Sequence, residues 1–253
     1  MATKARAVLA ALLLAAGMAQ AAPAEPPMDP ALLTEGFLAA HPDLRWRLEG
    51  LRAYEAKDYD VALTRLQRAA RHADKPAQAL IADMYWRGVG VAQDRPLAYA
   101  WMDIAAERLY PVFVGYREAF WAELTPAERE DALRRGRPLL GEFGDDVAKP
   151  RLESVLKRHR RNITGSRVGF VGNLTIIPFT GPLAGTGMTL TGDEYYADKY
   201  WNPVIYWEHQ DAIWSAPPRG RVKVGDVERA AAPPEGGAKA EEPDEKAKEQ
   251  DDR

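Results

Sequence analysis

The sequence predicts a mainly α-helical protein, a short α-solenoid of helix-turn-helix units followed by a small α+β extension. Two observations support this fold class. Small and large apolar residues recur at helical spacing within residues 32–143, which we assign to a helical repeat domain. β-prone runs bounded by glycine and asparagine, and a high density of aromatic residues, mark residues 150–228 as an α+β carboxyl-terminal domain.

The amino-terminal segment has the pattern of a secretory signal. Lys4 and Arg6 precede an apolar stretch at residues 7–16, and Ala19-Gln20-Ala21 fits a cleavage site. We therefore expect residues 1–21 to be a signal peptide and the protein to be periplasmic or secreted. An uncleaved membrane anchor is the alternative, although the stretch is shorter than the roughly 20 residues that span a bilayer.

The two ends of the mature chain are low in large apolar residues. Residues 22–31 are rich in proline and alanine and are predicted to form a flexible leader. Residues 229–253 contain no aromatic residue and are predicted to form a disordered charged tail. The chain has no cysteine, which excludes disulfides, a lipid-attachment site and a cysteine nucleophile.

The charge of the chain argues against nucleic acid as a partner. Losing Lys4 and Arg6 with the signal lowers the net charge from −3 to −5. The basic run at residues 157–161 is interpreted as a solvated helix end rather than a phosphate-binding track. No other apolar run is long enough to span a membrane, so no integral membrane segment is expected after cleavage.

Residues 44–143 are expected to form helices separated by short turns, with an internal repeat. One set of apolar residues recurs 36 positions later: Ala62, Leu66, Ala69 and Ala70 correspond to Ala98, Met102, Ala105 and Ala106. Alanines on one helical face allow close helix approach, and the large residue between them fills the remaining space. Tyr85 and Trp121 extend the correspondence at the same displacement of 36, whereas Tyr54 precedes Tyr85 by 31, because the turn after Tyr85 is five residues longer.

The boundaries of these helices carry recognisable signals. Gly88 and Gly90 can adopt the left-handed backbone that ends a helix, and Asp94 is placed to cap the next one. A phosphate-binding loop is the alternative for this glycine pair, but the preceding segment is helical and a third glycine is missing. Thr125 and Glu128 have the spacing of a capping box for a helix to about Arg135.

These residues resemble a known family. The pattern resembles one full Sel-one-like repeat, a relative of the tetratricopeptide repeat, in Ala79, Met84-Tyr85, Gly88-x-Gly90-Val91, Asp94, Ala98, Trp101 and Ala105-Ala106-Glu107. With flanking partial units the resemblance covers about two and a half repeats. Ala82 and Leu109 depart from it, because the family has glycine there. The resemblance implies an α-helical superhelix whose inner surface binds a protein or peptide, with no cofactor and no reaction of its own.

The carboxyl-terminal domain is expected to begin with a helix from about Lys149 to Arg161. Three strands and an intervening loop should follow, at residues 167–171, 174–177 and 189–191, with the loop at 181–187. Two helices are then predicted, one over residues 192–201 and one after Asn202-Pro203 that reaches Trp214. Trp207 and Trp214 share a face of this last helix, which favours packing, although an aromatic ligand platform is an alternative.

The leading functional hypothesis is a non-enzymatic interaction scaffold. The first helix of each repeat would offer a groove, with five candidate contact residues: Arg52, Glu55, Asp83, Trp86 and Arg87. These residues are not among those predicted to pack between helices, and they lie on equivalent faces of consecutive first helices. We expect no catalytic residue, no metal site and no cofactor, whereas the partner and the oligomeric state are not predicted.

Two rival hypotheses remain open from the residues. A cell-envelope glycan- or peptidoglycan-active enzyme could use Glu208, His209 and Asp211 as acid, base or metal ligands. His209, however, points about 100° away from Glu208 on a helix. An accessory subunit that folds fully only with a partner is the second rival. The other histidines, among them His41, are expected at the surface or at caps.

Overall fold

The computed structural model describes residues 32–161, 174–177, 185–187 and 189–216. These residues are mainly helical and include a two-stranded sheet, so the mainly α-helical class is confirmed. No helix in these ranges is long and apolar enough to cross a bilayer. Outside them lie the predictions for the signal peptide, the leader, the strand at 167–171, most of the loop at 181–187 and the tail.

Eight helices and a 3₁₀ turn precede the sheet within the described ranges. They are α1 (Glu35–Ala40), α2 (Pro42–Glu55), α3 (Tyr59–Ala70), α4 (Lys75–Arg87), α5 (Arg95–Ala105), the 3₁₀ turn Ala106–Arg108, α6 (Pro111–Glu123), α7 (Pro126–Phe143) and α8 (Asp145–Arg161). Helix α2 packs against α3, and α4 packs against α5, while α3 and α4 join these two pairs. Both α6 and α7 pack against α5.

The predicted helix boundaries rest on side-chain caps. The carboxylate of Asp94 accepts a hydrogen bond from the backbone N–H of Leu97 at 3.1 Å, and Gly88 ends α4 with φ of 70°. Thr125 and Glu128 form the expected capping box at the start of α7. These three predictions are confirmed, because each supplies a partner or a backbone conformation that a helix end requires.

The eight residues of the 36-position pattern are each no more than 2% exposed, namely Ala62, Leu66, Ala69, Ala70, Ala98, Met102, Ala105 and Ala106. All eight lie on α3, on α5 or on the 3₁₀ turn that follows α5. The aromatic members of the predicted packing set, Tyr54, Tyr85 and Trp121, are half-buried and pack against the same cluster. The packing prediction is therefore confirmed, whereas the repeat and solenoid interpretation stays a prediction.

Two predicted helix limits are wrong. Helix α8 begins at Asp145, one turn before Lys149, and α7 continues past Arg135 and through Pro138 to Phe143. The last turn of α7 is held by tertiary contacts that the local sequence does not reveal. The ring of Phe143 lies 4.7 Å from that of Trp101, and its carbonyl accepts a hydrogen bond from Gln78.

The sheet and the first of the two predicted carboxyl-terminal helices are shorter than predicted, whereas the helix predicted from Pro203 to Trp214 is confirmed. Strands β1 (Thr175–Ile176) and β2 (Leu190–Thr191) pair antiparallel, with Ile176 opposite Leu190. The helix expected over residues 192–201 is two helices, α9 (Gly192–Tyr195) and α10 (Asp198–Trp201), followed by α11 (Pro203–Ser215). The indole N–H of Trp201 donates to the carbonyl of Tyr195 at 2.6 Å, which takes that carbonyl out of the helical ladder.

Three buried clusters connect the amino-terminal and carboxyl-terminal parts of the described chain. The first includes the packed alanines, Phe113 on α6 and Trp214 on α11. The second joins Phe37 of α1 to Tyr195 and Trp201, and the third joins α8 to Tyr206 and Trp207 of α11. Trp207 and Trp214 are thus both buried, as their shared helical face predicts.

His41 stands between α1 and α2 as the C-cap of one and the N-cap of the other, so the expected cap position is confirmed, but its ring is completely buried rather than at the surface. Its two ring nitrogens lie 2.8 Å from the carbonyl oxygens of Phe37 and Tyr200, and the ring stacks on Phe37 at 3.9 Å. Burial lowers the pKa of His41, although the nearby Asp43 opposes this shift. His41 therefore joins α1 to α10 from within the core.

Candidate binding groove

A groove of about 580 Å3 runs across helices α2, α4 and α6. The first helices of the proposed repeat units thus contribute to one continuous surface. Helix α11 closes it with Trp214. A groove of this size falls within the range of about 300–1,000 Å3 that is typical of ligand sites.

The floor of the groove is apolar. Leu66 of α3 and Met102 of α5, which occupy corresponding positions in the 36-residue pattern, both reach it. Phe113 and Phe120 of α6 line one wall, and the ring of Trp214 lies 5.7 Å from that of Phe113. These three aromatic side chains are themselves almost completely buried, so the apolar surface open to a ligand comes from partly exposed lining residues, namely Leu51, Leu80 and Tyr116.

One side of the groove carries a polar cluster. The Arg87 guanidinium donates to the hydroxyl of Tyr54 at 2.9 Å and also to the carboxylate of Asp83. Burial raises the pKa of Asp83, while the charge of Arg87 opposes that rise. Burial likewise raises the pKa of Tyr54, and the charge of Arg87 opposes that rise. The cluster therefore presents hydrogen-bond donors and acceptors beside an apolar floor.

One lining residue of the groove belongs to a buried ion pair. Arg47 donates to the Oδ2 atom of Asp74 at 2.7 Å, and both side chains are almost completely buried. The Oδ1 atom of Asp74 accepts from the backbone N–H of Ala77, so Asp74 also caps α4. This double use of Asp74 fixes α2 against the start of α4 and keeps the walls of the groove at a set separation.

Three of the five predicted contact residues line the groove, namely Glu55, Asp83 and Arg87. Arg52 is exposed on α2 but does not line it. Trp86 also lies outside the lining, because its ring stacks on Phe120 at 3.9 Å with an interplanar angle of 4°. Trp86 thus supports the groove wall from behind, with the Arg95 guanidinium on its ring.

Five further residues shape the groove but were not among the predicted contacts, namely Tyr54, Phe113, Tyr116, Phe120 and Trp214, the last of which was named only for an alternative aromatic platform. Tyr54 was assigned to the packing set. Phe113, Tyr116 and Phe120 are three and four positions apart, and this spacing places them on one face of a helix and could have indicated that they line a common surface. Trp214 had no such signal, because it follows Phe113 by about a hundred residues and meets it only in the folded chain.

A second polar network lies between α4, the 3₁₀ turn and α8. Asp145 accepts two hydrogen bonds from Arg108, at 2.6 and 2.9 Å, and its carboxylate is 3.0 Å from the ammonium of Lys75. Burial by itself would raise the pKa of Asp145, but the bonds and charge of Arg108, aided by Lys75, hold it well below its usual range. These charges are paired with one another, so we interpret the network as a structural brace.

The three residues of the enzyme hypothesis have different surroundings. Asp211 accepts a hydrogen bond from the hydroxyl of Tyr110 at 2.5 Å, and Glu208 is exposed. The ring of His209 lies edge-on to Tyr200 at 5.9 Å, and burial lowers its pKa. Within the described ranges, no group of three or more histidine or carboxylate side chains is arranged to hold a metal ion.

Comparison with known proteins finds no relative of this chain. No protein-family model matches the chain, and neither the curated proteins nor the solved structures include a significant match.

Proposed function

We propose that the protein is an exported, non-enzymatic scaffold that binds a peptide segment of a partner protein in the groove across α2, α4 and α6. The groove is the observation that carries this proposal. Its partly exposed apolar lining residues, Leu51, Leu80 and Tyr116, suit a bulky aliphatic or aromatic side chain, because covering them removes apolar surface from water. The resemblance to Sel-one-like repeats supports the same kind of partner.

The polar cluster at the rim favours a polypeptide over a purely apolar ligand. A peptide main chain offers both N–H donors and carbonyl acceptors beside each side chain. Tyr54, Asp83 and Arg87 offer both kinds of partner next to the apolar floor. A peptide can therefore place a side chain on the floor while its backbone satisfies the rim.

The variant Leu51→Arg tests the groove. Leu51 lines it but belongs to none of the three buried clusters, so the change should place a charge in the groove without opening the core. Peptides selected on the wild-type protein from a random displayed library should contain a bulky apolar residue. Their affinity for Leu51→Arg, measured by calorimetry with one synthetic peptide, should fall by about tenfold or more.

The matched control is Leu140→Arg. Leu140 is half-exposed on α7 and does not line the groove, so this variant should bind the selected peptide as the wild type does. Equal binding by Leu51→Arg, or failure of the library to yield any peptide that the wild type binds, would contradict the proposal.

Export is the second part of the proposal, and it rests on the signal pattern that ends at Ala21. Expression of the full chain in a bacterial host should deliver protein to the periplasm, with Ala22 as its first residue on amino-terminal sequencing. Retention of residues 1–21 on protein found in the cytoplasm would show this part to be wrong.

A further inference from the structure

Three guanidinium groups surround one indole ring on another surface of α2. The guanidinium carbons of Arg45, Arg65 and Arg68 each lie 4.9 Å from the ring centroid of Trp46. Any two of these carbons are therefore within about 10 Å of each other. Helical geometry places Arg45 about 160° around α2 from the groove residue Arg47. We call this set of four residues the arginine patch.

The arginine patch carries more positive charge than its own ion pairs neutralise. Glu49 is 3.0 Å from Arg45 and 3.4 Å from Arg65, so a single carboxylate bridges two guanidiniums. Within the described part of the chain, no carboxylate forms an ion pair with Arg68, which is exposed on α3. Three positive charges and one negative charge leave an excess of two, in a chain whose overall charge is negative.

The guanidiniums are arranged to receive an oxyanion. Arg65 uses its Nε atom toward Glu49, which leaves its outer N–H groups for another acceptor. Arg65 and Arg68 are three residues apart on α3 and share a helical face. Contact with the Trp46 ring restricts the planes of both groups, so less side-chain entropy is lost when a carboxylate binds across them.

We propose that the arginine patch binds carboxylates of an acidic peptide segment on a partner protein. Its guanidinium carbons are at most about 10 Å apart, which suits a few neighbouring side chains rather than a long polyanion. Single-stranded nucleic acid is a poorer match, because bases need a free aromatic face for stacking and the Trp46 ring already carries three guanidiniums. The proposal does not depend on the groove, since the two surfaces have no residue in common.

A fluorescein-labelled peptide of four glutamates flanked by glycines is the probe for this site. Its anisotropy should rise on titration with the wild-type protein at low ionic strength, and binding should weaken at about 0.15 M salt. The double variant Arg65→Gln/Arg68→Gln should reduce the affinity by about tenfold or more. Both changes keep polar side chains at a solvent-accessible surface, and thermal unfolding checks that the fold is kept.

Two controls separate the patch from general electrostatics and from the groove. Arg158→Gln/Arg161→Gln removes the same charge from exposed positions at the end of α8, and Leu51→Arg changes only the groove. The α8 variant should bind the glutamate probe nearly as tightly as the wild type, and Leu51→Arg should bind it at least as tightly. Equal loss in the α8 variant would overturn the proposal, as would undiminished binding by the patch variant or no binding by the wild type.

Inorganic phosphate and an oligothymidylate distinguish other sources of the anion. At equal ionic strength, each should compete with the glutamate probe only weakly. Tighter binding of either one that is also lost in Arg65→Gln/Arg68→Gln would show that the patch recognises phosphate groups, and the acidic-peptide assignment would then be wrong.

Discussion

Buried charges at single positions hold helices together in this protein. The ammonium of Lys75 is completely buried, and it donates to the carbonyl of Ile104 at 2.9 Å and to Glu107 at 2.7 Å. Burial lowers the pKa of Lys75, whereas Asp145 and Glu107 oppose that shift. Each of these groups therefore depends on its partners, since an unpaired charge in the same place would be costly.

The variant Asp145→Asn tests this dependence. Its amide would leave the buried charges of Lys75 and Arg108 without their shared carboxylate, so unfolding free energy should fall by roughly 3–5 kcal/mol. Chemical denaturation at neutral pH measures the loss. Asp146→Asn is the control, because Asp146 is an exposed residue in the same helical turn and its loss should change stability only slightly.

Asp145 also determines the direction in which the stability of the fold changes with pH. The pKa of Asp145 is lower in the folded protein than its ordinary value of about 3.9, so the unfolded chain binds the proton more readily. The stability contributed by this carboxylate is therefore complete above that ordinary value and lost as the pH falls below it. Asp145→Asn should flatten that part of the stability profile, and an unchanged acid slope would contradict the assignment.

At the scale of elements, the turn between α4 and α5 is fitted closely against α3. Gly90 has φ of 71°, and a Cβ atom added there would overlap the Cβ and Cγ atoms of Tyr59. Only glycine tolerates both the left-handed backbone and this approach. The turn thus sets how the α4–α5 pair sits against the start of α3.

Gly90→Ala should lower the free energy of unfolding by roughly 2–4 kcal/mol, because backbone strain adds to steric overlap. Gly88→Ala is the matched comparison. Gly88 has nearly the same φ, but its added Cβ would meet Gln93 only at 3.3 Å, so the loss should be about 1–2 kcal/mol. Denaturant titration of both variants checks the difference, and equal losses would show that contact with Tyr59 is not the cause.

Local sequence signals predicted the capped helix starts and the packed faces, but not the helix limits that tertiary contacts set. The caps at Asp94 and Thr125 and the alanine faces of α3 and α5 use neighbours within one or two turns, so the sequence displays them directly. The split between α9 and α10 depends on the bond from Trp201 to Tyr195, which a helical pattern does not reveal. Tertiary contacts similarly carry α7 beyond Arg135.

The candidate groove could be predicted only in part for the same reason. Glu55, Asp83 and Arg87 follow from equivalent positions on the first helices of the proposed units. Trp214 comes from a distant segment, and its place in the lining depends on how α11 packs. Burial of charged side chains is equally invisible in the sequence, because residues such as Lys75 have partners that are distant along the chain.

At the scale of the whole molecule, the predicted repeat domain and the predicted carboxyl-terminal domain contribute residues to the same buried clusters. Residues from α8 to α11 contribute to all three buried clusters, next to residues from α1, α5 and α6. Removing residues 150–228 would therefore expose apolar surface of the remaining helices. Point variants such as Leu51→Arg are the better test of function, because a deletion would confound lost contacts with lost folding.

The contribution of Trp214 to the groove has a consequence for the order in which the protein becomes active. This residue belongs to the last helix of the described chain, whereas the other walls come from helices made much earlier in synthesis. Synthesis proceeds from the amino terminus, so the groove lacks one aromatic residue until α11 has been made. Under the proposed function, an incomplete chain would therefore hold its target poorly, and full affinity would be reserved for completed molecules.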